Sequence, residues 1–155
     1  MFHRIGNDGT RYAGKNGAGI IFTDGKQVLL LKRAKGDHKE SWGQPGGGVE
    51  AGETTIDAAI REAKEECGNF SGYRVADFEE KDGIHRWTTY LYKVAGPFNC
   101  NLSDEHSAYQ WYNLDQLKSV NLHPQFKKNL PAYLRMISRK IPPVGTFKEW
   151  LKTQS

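Results

Sequence analysis

The apolar positions along the chain change period several times, and each change marks an element. Residues 18–23 (AGIIFT) and Gln27–Arg33 (QVLLLKR) are short apolar runs rich in β-formers, separated by Asp24-Gly25. That dipeptide favours the tight turn of a hairpin. The second run is almost continuously apolar, which predicts a strand covered on both faces. From Thr54 the period lengthens: Ile56, Ala59, Ile60, Ala63 and Cys67 fall on one stripe at about 100° per residue. Thr54 or Thr55 is a fit N-cap and Gly68 a fit stop, so a helix is predicted between them. Strand patterns return over 73–78 and 84–95, joined by a second Asp-Gly at Asp82-Gly83, and again over 108–112. Asn113 then caps a predicted short helix, Leu114–Ser119. His123-Pro124 opens a second amphipathic helix, with Phe126, Leu130, Tyr133, Leu134 and Ile137 at helical spacing. Thr146 is read as the cap of a last short helix carrying Trp150. Residues 1–15 show no clear period and suit a ragged start or an edge strand; 34–41 is read as a mobile charged loop, and 97–102 as a loop or short extension. Strands and helices mixed in this order predict an α/β domain with a mixed sheet between helices. No repeat or low-complexity segment divides the chain, so one domain over 1–155 is expected.

Composition narrows the class without changing the fold. The chain has 155 residues, enough to bury a core, with 26% charged and 37% hydrophobic residues. No apolar run approaches the roughly 20 residues of a membrane span. The first residues lack an apolar segment of signal-peptide length, and a cytoplasmic location is the expectation. Two cysteines without CxxC spacing are too few for a disulfide framework, and Cys67 reads as a small buried thiol. The net charge is +4, but it is uneven. From Lys127 onward the chain carries seven Lys/Arg against one acid, Glu149. Such a tail either steers a polyanion or is the solvated face of a helix. Without a basic stripe interleaved with stacking aromatics, the pI near 9 is a poor argument for nucleic-acid binding.

The chemistry gathers around Gly46-Gly47-Gly48 and the helix after it. Glu62, Glu65 and Glu66 stand three and four apart, on a stripe that borders the apolar one. Clustered carboxylates repel one another at neutral pH, and a cation offsets that cost. Oxygen ligands alone favour a hard ion such as Mg²⁺ or Mn²⁺ over zinc. The plain alternative is an exposed acidic face balanced by Arg61 and Lys64. The glycines likewise read either as a loop that takes positive φ and approaches an ion or phosphate closely, or as a flexible linker.

The spacing of these residues resembles a known pattern. Gly47, five residues, Glu53, seven residues, then Arg61-Glu62-Ala63-Lys64-Glu65-Glu66-Cys67-Gly68 is similar to the Nudix box, GX5EX7REUXEEXGU, where U is aliphatic. Residues 47–69 cover it. Two positions depart: Ala63 is small for U, and Asn69 stands at the final U, with Phe70 beside it. The flanking Trp42 and Pro45-Gly46-Gly47 also resemble members of this family, as does the stretch holding Glu105, Trp111, Leu114 and Leu117.

The resemblance implies the Nudix α/β/α sandwich and hydrolysis of a nucleoside diphosphate linked to another moiety, with Mg²⁺ as cofactor and Mn²⁺ as a possible substitute. It implies Glu62, Glu65 and Glu66 as metal ligands, joined by the carbonyl of Gly46, and Glu53 with Arg61 as the pair bracing loop to helix. Glu105 stands where relatives place a further metal ligand or general base; otherwise it is an exposed turn carboxylate. Whether Glu62, Glu66 or Glu105 takes the proton of the attacking water is left open. A nucleoside triphosphate, as in MutT-type enzymes, is the first expected substrate. ADP-ribose and nucleotide sugars compete, although 83–87 lacks the proline common in ADP-ribose enzymes. Dinucleoside polyphosphates are a further alternative, with Tyr90 as the relevant tyrosine. Trp42, Trp87 and Tyr90 are candidates for stacking a base, against the plainer reading that each packs in the core. A non-catalytic nucleotide sensor is the remaining alternative.

Overall fold

The computed structural model describes residues 16–83 and 85–141. The expected start over 1–15 and the helix expected around Thr146 and Trp150 lie outside the described residues. Side chains alternate across a strand, and here the alternation sorts the apolar residues into two cores. In β1 (Asn16–Thr23), Ala18, Ile20 and Phe22 face one way and Ile21 the other. In β2 (Gln27–Arg33), Leu29 and Leu31 join the first set, Val28 and Leu30 the second. The first core is closed by Ala58, Ala59, Ala63 and Cys67 of α1 (Thr55–Cys67). The second is closed by Phe126, Leu130, Tyr133 and Ile137 of α2 (Pro124–Lys140), with Leu117 of the 3-10 turn Leu114–Ser119. A sheet buried on both faces between two helices is the α/β/α arrangement, and it accounts for the continuous apolar run of β2.

Seven strands form a mixed sheet. β1 lies parallel to β6 (His85–Lys93) from Asn16↔Arg86 to Thr23↔Lys93, and antiparallel β5 (Tyr73–Asp82) forms one edge beyond β6. On the other side β2 carries β7 (His106–Asn113) and the two residues of β3 (Trp42–Gly43). The Asp24-Gly25 hairpin forms as expected: the Asp24 carboxylate accepts from the Lys26 and Gln27 amides, and Gly25 has φ +100°. Yet β1 and β2 pair only at Thr23↔Val28 and then part. The chain from Trp42 fills the split, with β3 on β2 and β4 (Gly46–Gly48) on β1.

Several boundaries differ from expectation. The glycine run is a strand, not a loop, pairing Gly17↔Gly48, Ala18↔Gly47 and Gly19↔Gly46. None of its three residues has a positive φ. Glycine is needed at Gly46 and Gly47 for close approach, not for left-handed backbone. β5 runs on through the polar residues 79–82, because its register with β6 continues to Asp82↔His85. The charged loop 34–41 is tied down by Lys32–Glu40 and Lys35–Asp104 ion pairs, both at 3.0 Å, and by Ser41 Oγ donating to the His38 carbonyl at 2.6 Å. His38 and Glu40 hold positive φ within it. The basic residues of α2, Lys127, Lys128, Arg135, Arg139 and Lys140, all point to solvent, as on a solvated helix face. Among the described residues no helix is long and apolar enough to cross a membrane.

Candidate metal and catalytic site

α1 begins where Thr54 Oγ1 accepts the Asp57 amide at 3.2 Å, and ends at Gly68, whose φ of +84° suits glycine. Between these caps the helix lies against β1 and β4, which sets its acidic side beside the glycine strand. Glu53, just before the cap, accepts from Arg61 Nε at 2.7 Å and from a second guanidinium nitrogen at 3.0 Å. The same guanidinium donates to the Gly48 carbonyl at 3.0 Å, and Glu53 also accepts the Glu50 amide at 2.9 Å. The loop is thus fastened to the helix at both ends. This bidentate, charge-assisted contact holds the Glu53 carboxyl below its ordinary range, and Glu53 in turn holds the Arg61 guanidinium protonated.

The three box glutamates occupy different environments. Glu66 is only 5% exposed and accepts the Gly46 amide at 2.9 Å. Glu62 is largely buried, with its carboxylate where a Cβ on Gly47 would stand: such an atom would lie 2.5 Å from Oε2. Glu65 is mostly exposed and stands 3.3 Å from Arg61 Nη1, which also lies 3.1 Å from Glu62 Oε2. Burial pushes the Glu62 carboxyl up to about 7 against the pull of Arg61, and the charges of Glu65 and Glu105 add to the rise. Burial, and then the charge of Glu62, push Glu66 well above the carboxylate range, while the Gly46 amide opposes them. Glu105 is exposed in the turn before β7, where its carbonyl accepts the Ala34 amide at 2.9 Å. Its charge reaches both buried carboxylates, so Glu62, Glu65, Glu66 and Glu105 share one electrostatic neighbourhood.

These groups do not already close on one point. Among the described residues no three His, Cys, Asp or Glu side chains converge tightly enough to hold an ion. The donor chemistry nonetheless fits a hard cation. The donors are oxygens, and two are carboxylates whose ionised forms are disfavoured by burial and mutual repulsion. An ion that keeps several of its own waters needs few protein ligands.

The aromatic candidates are placed differently. Tyr90 is 6% exposed in the α1 core, its hydroxyl 2.5 Å from Thr55 Oγ1 and the Arg74 guanidinium over its ring. Trp42 meets the Tyr112 ring edge-on at 5.2 Å and packs in the α2 core. Trp87 lies on the α2 side of the sheet with its indole against the glycines of β1 and β4. Unforeseen from sequence are the Gly48 carbonyl as partner of Arg61, and a buried cluster around Thr89. Thr89 Oγ1 lies 3.0 Å from Trp87 Nε1, 3.1 Å from Gln44 Nε2 and 3.0 Å from the Tyr133 hydroxyl. Both depend on which strands become neighbours, and the sequence carries no local signal for that.

The NUDIX domain family profile matches residues 15–134. An uncharacterized Nudix hydrolase of Bacillus subtilis is 31% identical over 113 residues, covering 68% of this chain and 69% of that one. A putative Nudix hydrolase of Caenorhabditis elegans is 34% identical over 98 residues, 62% of this chain and 27% of its own length. The chain thus spans under a third of that relative. A crystal structure of a Nudix hydrolase from M. smegmatis superposes with a TM-score of 0.73 at 23% identity, covering 94% of this chain and 99% of that one. With the profile spanning most of the sheet, α1 and much of α2, the chain belongs to the Nudix hydrolase family.

Proposed function

We propose that the protein is a Mg²⁺-dependent pyrophosphohydrolase that cleaves a nucleoside diphosphate linked to another moiety, with a (deoxy)nucleoside triphosphate of MutT type as its first substrate class. The observation that carries this reading is the pair of desolvated carboxylates, Glu62 and Glu66, set beside a glycine strand and served, among the described residues, by only one nearby cation, Arg61. That guanidinium is already engaged by Glu53. The pair therefore lacks most of the positive charge its ionised form requires, and a divalent cation supplies it. Divalent metal use is general in the family, and Mn²⁺ is the natural substitute.

A divalent ion held by these carboxylates would neutralise the pyrophosphate charge and polarise a water. The protein's own residues do the rest. Glu66 is fixed by the Gly46 amide and faces inward, which suits a ligand and not a mobile base. Glu62 lies 3.1 Å from Arg61, and the Gly46 carbonyl of β4 and the exposed Glu65 would complete the donor set. Glu105 lies on a separate element with access to bulk water, and it takes the proton of the attacking water and releases it to solvent. Glu53 and Arg61 keep loop and helix in register without touching substrate.

The test is a panel of nucleoside triphosphates, dinucleoside polyphosphates, ADP-ribose and nucleotide sugars, assayed for product release with and without Mg²⁺. Turnover of triphosphates that Glu66→Gln lowers by about 100-fold or more is expected. Preference for another member of the panel would replace the substrate class and keep the chemistry. Silence across the panel would favour a nucleotide sensor, and full activity of Glu66→Gln would overturn the metal assignment.

A further inference from the structure

The three glycines of β4 do not share one neighbour. Gly47 faces α1, where Glu62 fills the space a side chain would take. Gly46 faces the other way, and there it meets Trp87. Strand alternation and register put Gly17 and Gly19 of β1, Gly46 of β4, and Trp87 and Thr89 of β6 on one face. A Cβ on Gly17 would stand 2.5 Å from Cε3 of the indole, one on Gly19 2.9 Å from Cζ2, and one on Gly46 3.0 Å from Cη2. The benzo ring therefore lies on bare backbone from two strands. That contact has no rotamers on one side and is as rigid as the sheet.

The other end of the indole is fixed as firmly. Trp87 Nε1 and Gln44 Nε2 can only donate, so the Thr89 hydroxyl accepts both and gives its own proton to Tyr133. Two acceptances and one donation exhaust a hydroxyl, and Thr89 is fully buried. Tyr133 belongs to α2, and Gln44 belongs to the turn that leads into β4. The Pro45 carbonyl in that turn accepts the Ile20 amide at 3.0 Å. A saturated buried network of this kind rigidifies what it touches.

We propose that Trp87, locked by Thr89, is a positioning residue that holds the Gln44-Pro45-Gly46 turn in the split of the sheet and so fixes where Gly46 stands against Glu66. The inference rests on the metal centre described above, because its consequence is the placing of the Gly46 amide and carbonyl. β4 is three residues long and pairs only with β1 among the described strands; Glu66 and Arg61 hold it from the α1 side, and Trp87 meets it from the α2 side. Removing the indole leaves a void lined by glycine backbone. The glycines that line it have no side chains to fill it, so Gln44 or the strand itself must move, and both belong to the segment that carries Gly46. Trp87 acts on the reaction through Gly46, from the face of the sheet opposite Glu62.

The experiment compares Trp87→Ala, Trp87→Phe, Thr89→Val and Thr89→Ser with the parent by steady-state kinetics and by Mn²⁺ titration followed by electron paramagnetic resonance. Trp87→Ala and Thr89→Val are expected to lower kcat and weaken Mn²⁺ binding by about tenfold or more, with KM changed by less than about twofold. Trp87→Phe should fall between, and Thr89→Ser, which keeps the hydroxyl, should restore both values to within about twofold of the parent. A raised KM with unchanged Mn²⁺ affinity would make the indole a base-stacking surface and overturn the proposal. Unchanged kcat and Mn²⁺ affinity in folded Trp87→Ala would overturn it too. Should Trp87→Ala fail to fold by circular dichroism, the Thr89→Val and Thr89→Ser pair decides by the same titration. An inactive parent that still binds Mn²⁺ counts against the hydrolase reading alone, since the titration continues to report on the anchor.

Discussion

At the scale of single residues, the site is governed by where side chains are missing as much as by where they are present. Gly47 leaves room for Glu62, and a methyl group there would overlap its carboxylate. Either Glu62 swings away or β4 lifts from β1; both move a carboxylate assigned to the metal. Gly47→Ala is therefore expected to lower kcat by about 100-fold, the loss associated with displacing a reacting group by about 1 Å. Because the clash is confined to the three-residue β4 in the split of the sheet, its melting temperature should fall by only about 5 °C. Kinetics and a thermal melt on the same preparation read both quantities. A Gly47→Ala enzyme with parental kcat would show that Glu62 need not stand where it does.

At the scale of elements, α1 was legible and β4 was not, for reasons rooted in what each is made of. α1 announces itself through apolar spacing, an N-capping threonine and a terminal glycine, all local signals. Even so, the buried side is rotated toward the acidic one: Ala58 and Glu66 are fully inside, while Ile56 and Ile60 are only half-covered. The helix was readable as amphipathic, but packing of small alanines against β1 fixes which residues go deepest. β4 consists of three glycines and offers no pattern of side chains. It exists as a strand because β1 and β2 part and leave a bonding edge for it. The positions of Trp87 and Thr89 rest equally on the parallel pairing of β1 with β6, which no local rule predicts. What joins the legible helix to the illegible strand is Arg61. Arg61→Lys keeps the charge but cannot form the fork to Glu53 and reach the Gly48 carbonyl together. Loss of about 1–2 kcal/mol in urea unfolding is expected, with a tenfold or larger fall in kcat, about what a broken charge-assisted pair costs. Parental stability in Arg61→Lys would show that the fork contributes nothing to the fold.

At the scale of the whole molecule, the two helical layers are joined through the segment that fills the split. Trp42 donates its amide to the Asn121 carbonyl at 2.9 Å, and its own carbonyl accepts the His123 amide at 2.8 Å. His123 caps α2 by accepting the Gln125 amide on Nδ1 at 3.2 Å, and its ring meets His38 edge-on at 4.9 Å. Burial, then the nearby charge of Arg33 and the presence of His38, depress the His123 imidazole to about 4. Protonation would remove the capping acceptor and place a positive charge at a helix N-terminus. The folded state thus resists a proton that the unfolded chain binds near pH 6.5. The stability this confers is full above pH 6.5 and is lost as pH falls toward 4. Allowing for solvent screening of a partly exposed ring, the loss is about 1–2 kcal/mol. Glu62 works in the opposite direction, because its carboxyl is raised and the fold gains as pH drops through 7. The wild-type profile alone therefore mixes two signs. His123→Asn separates them, since asparagine caps a helix well and does not titrate. Urea midpoints measured from pH 7.5 to 4 should converge at neutral pH and then diverge, with His123→Asn the more stable below pH 5. Parallel profiles for the two proteins would remove His123 as the source of acid sensitivity and leave His106, which burial likewise depresses to about 4, and the Glu53 carboxyl held low by Arg61 to account for it.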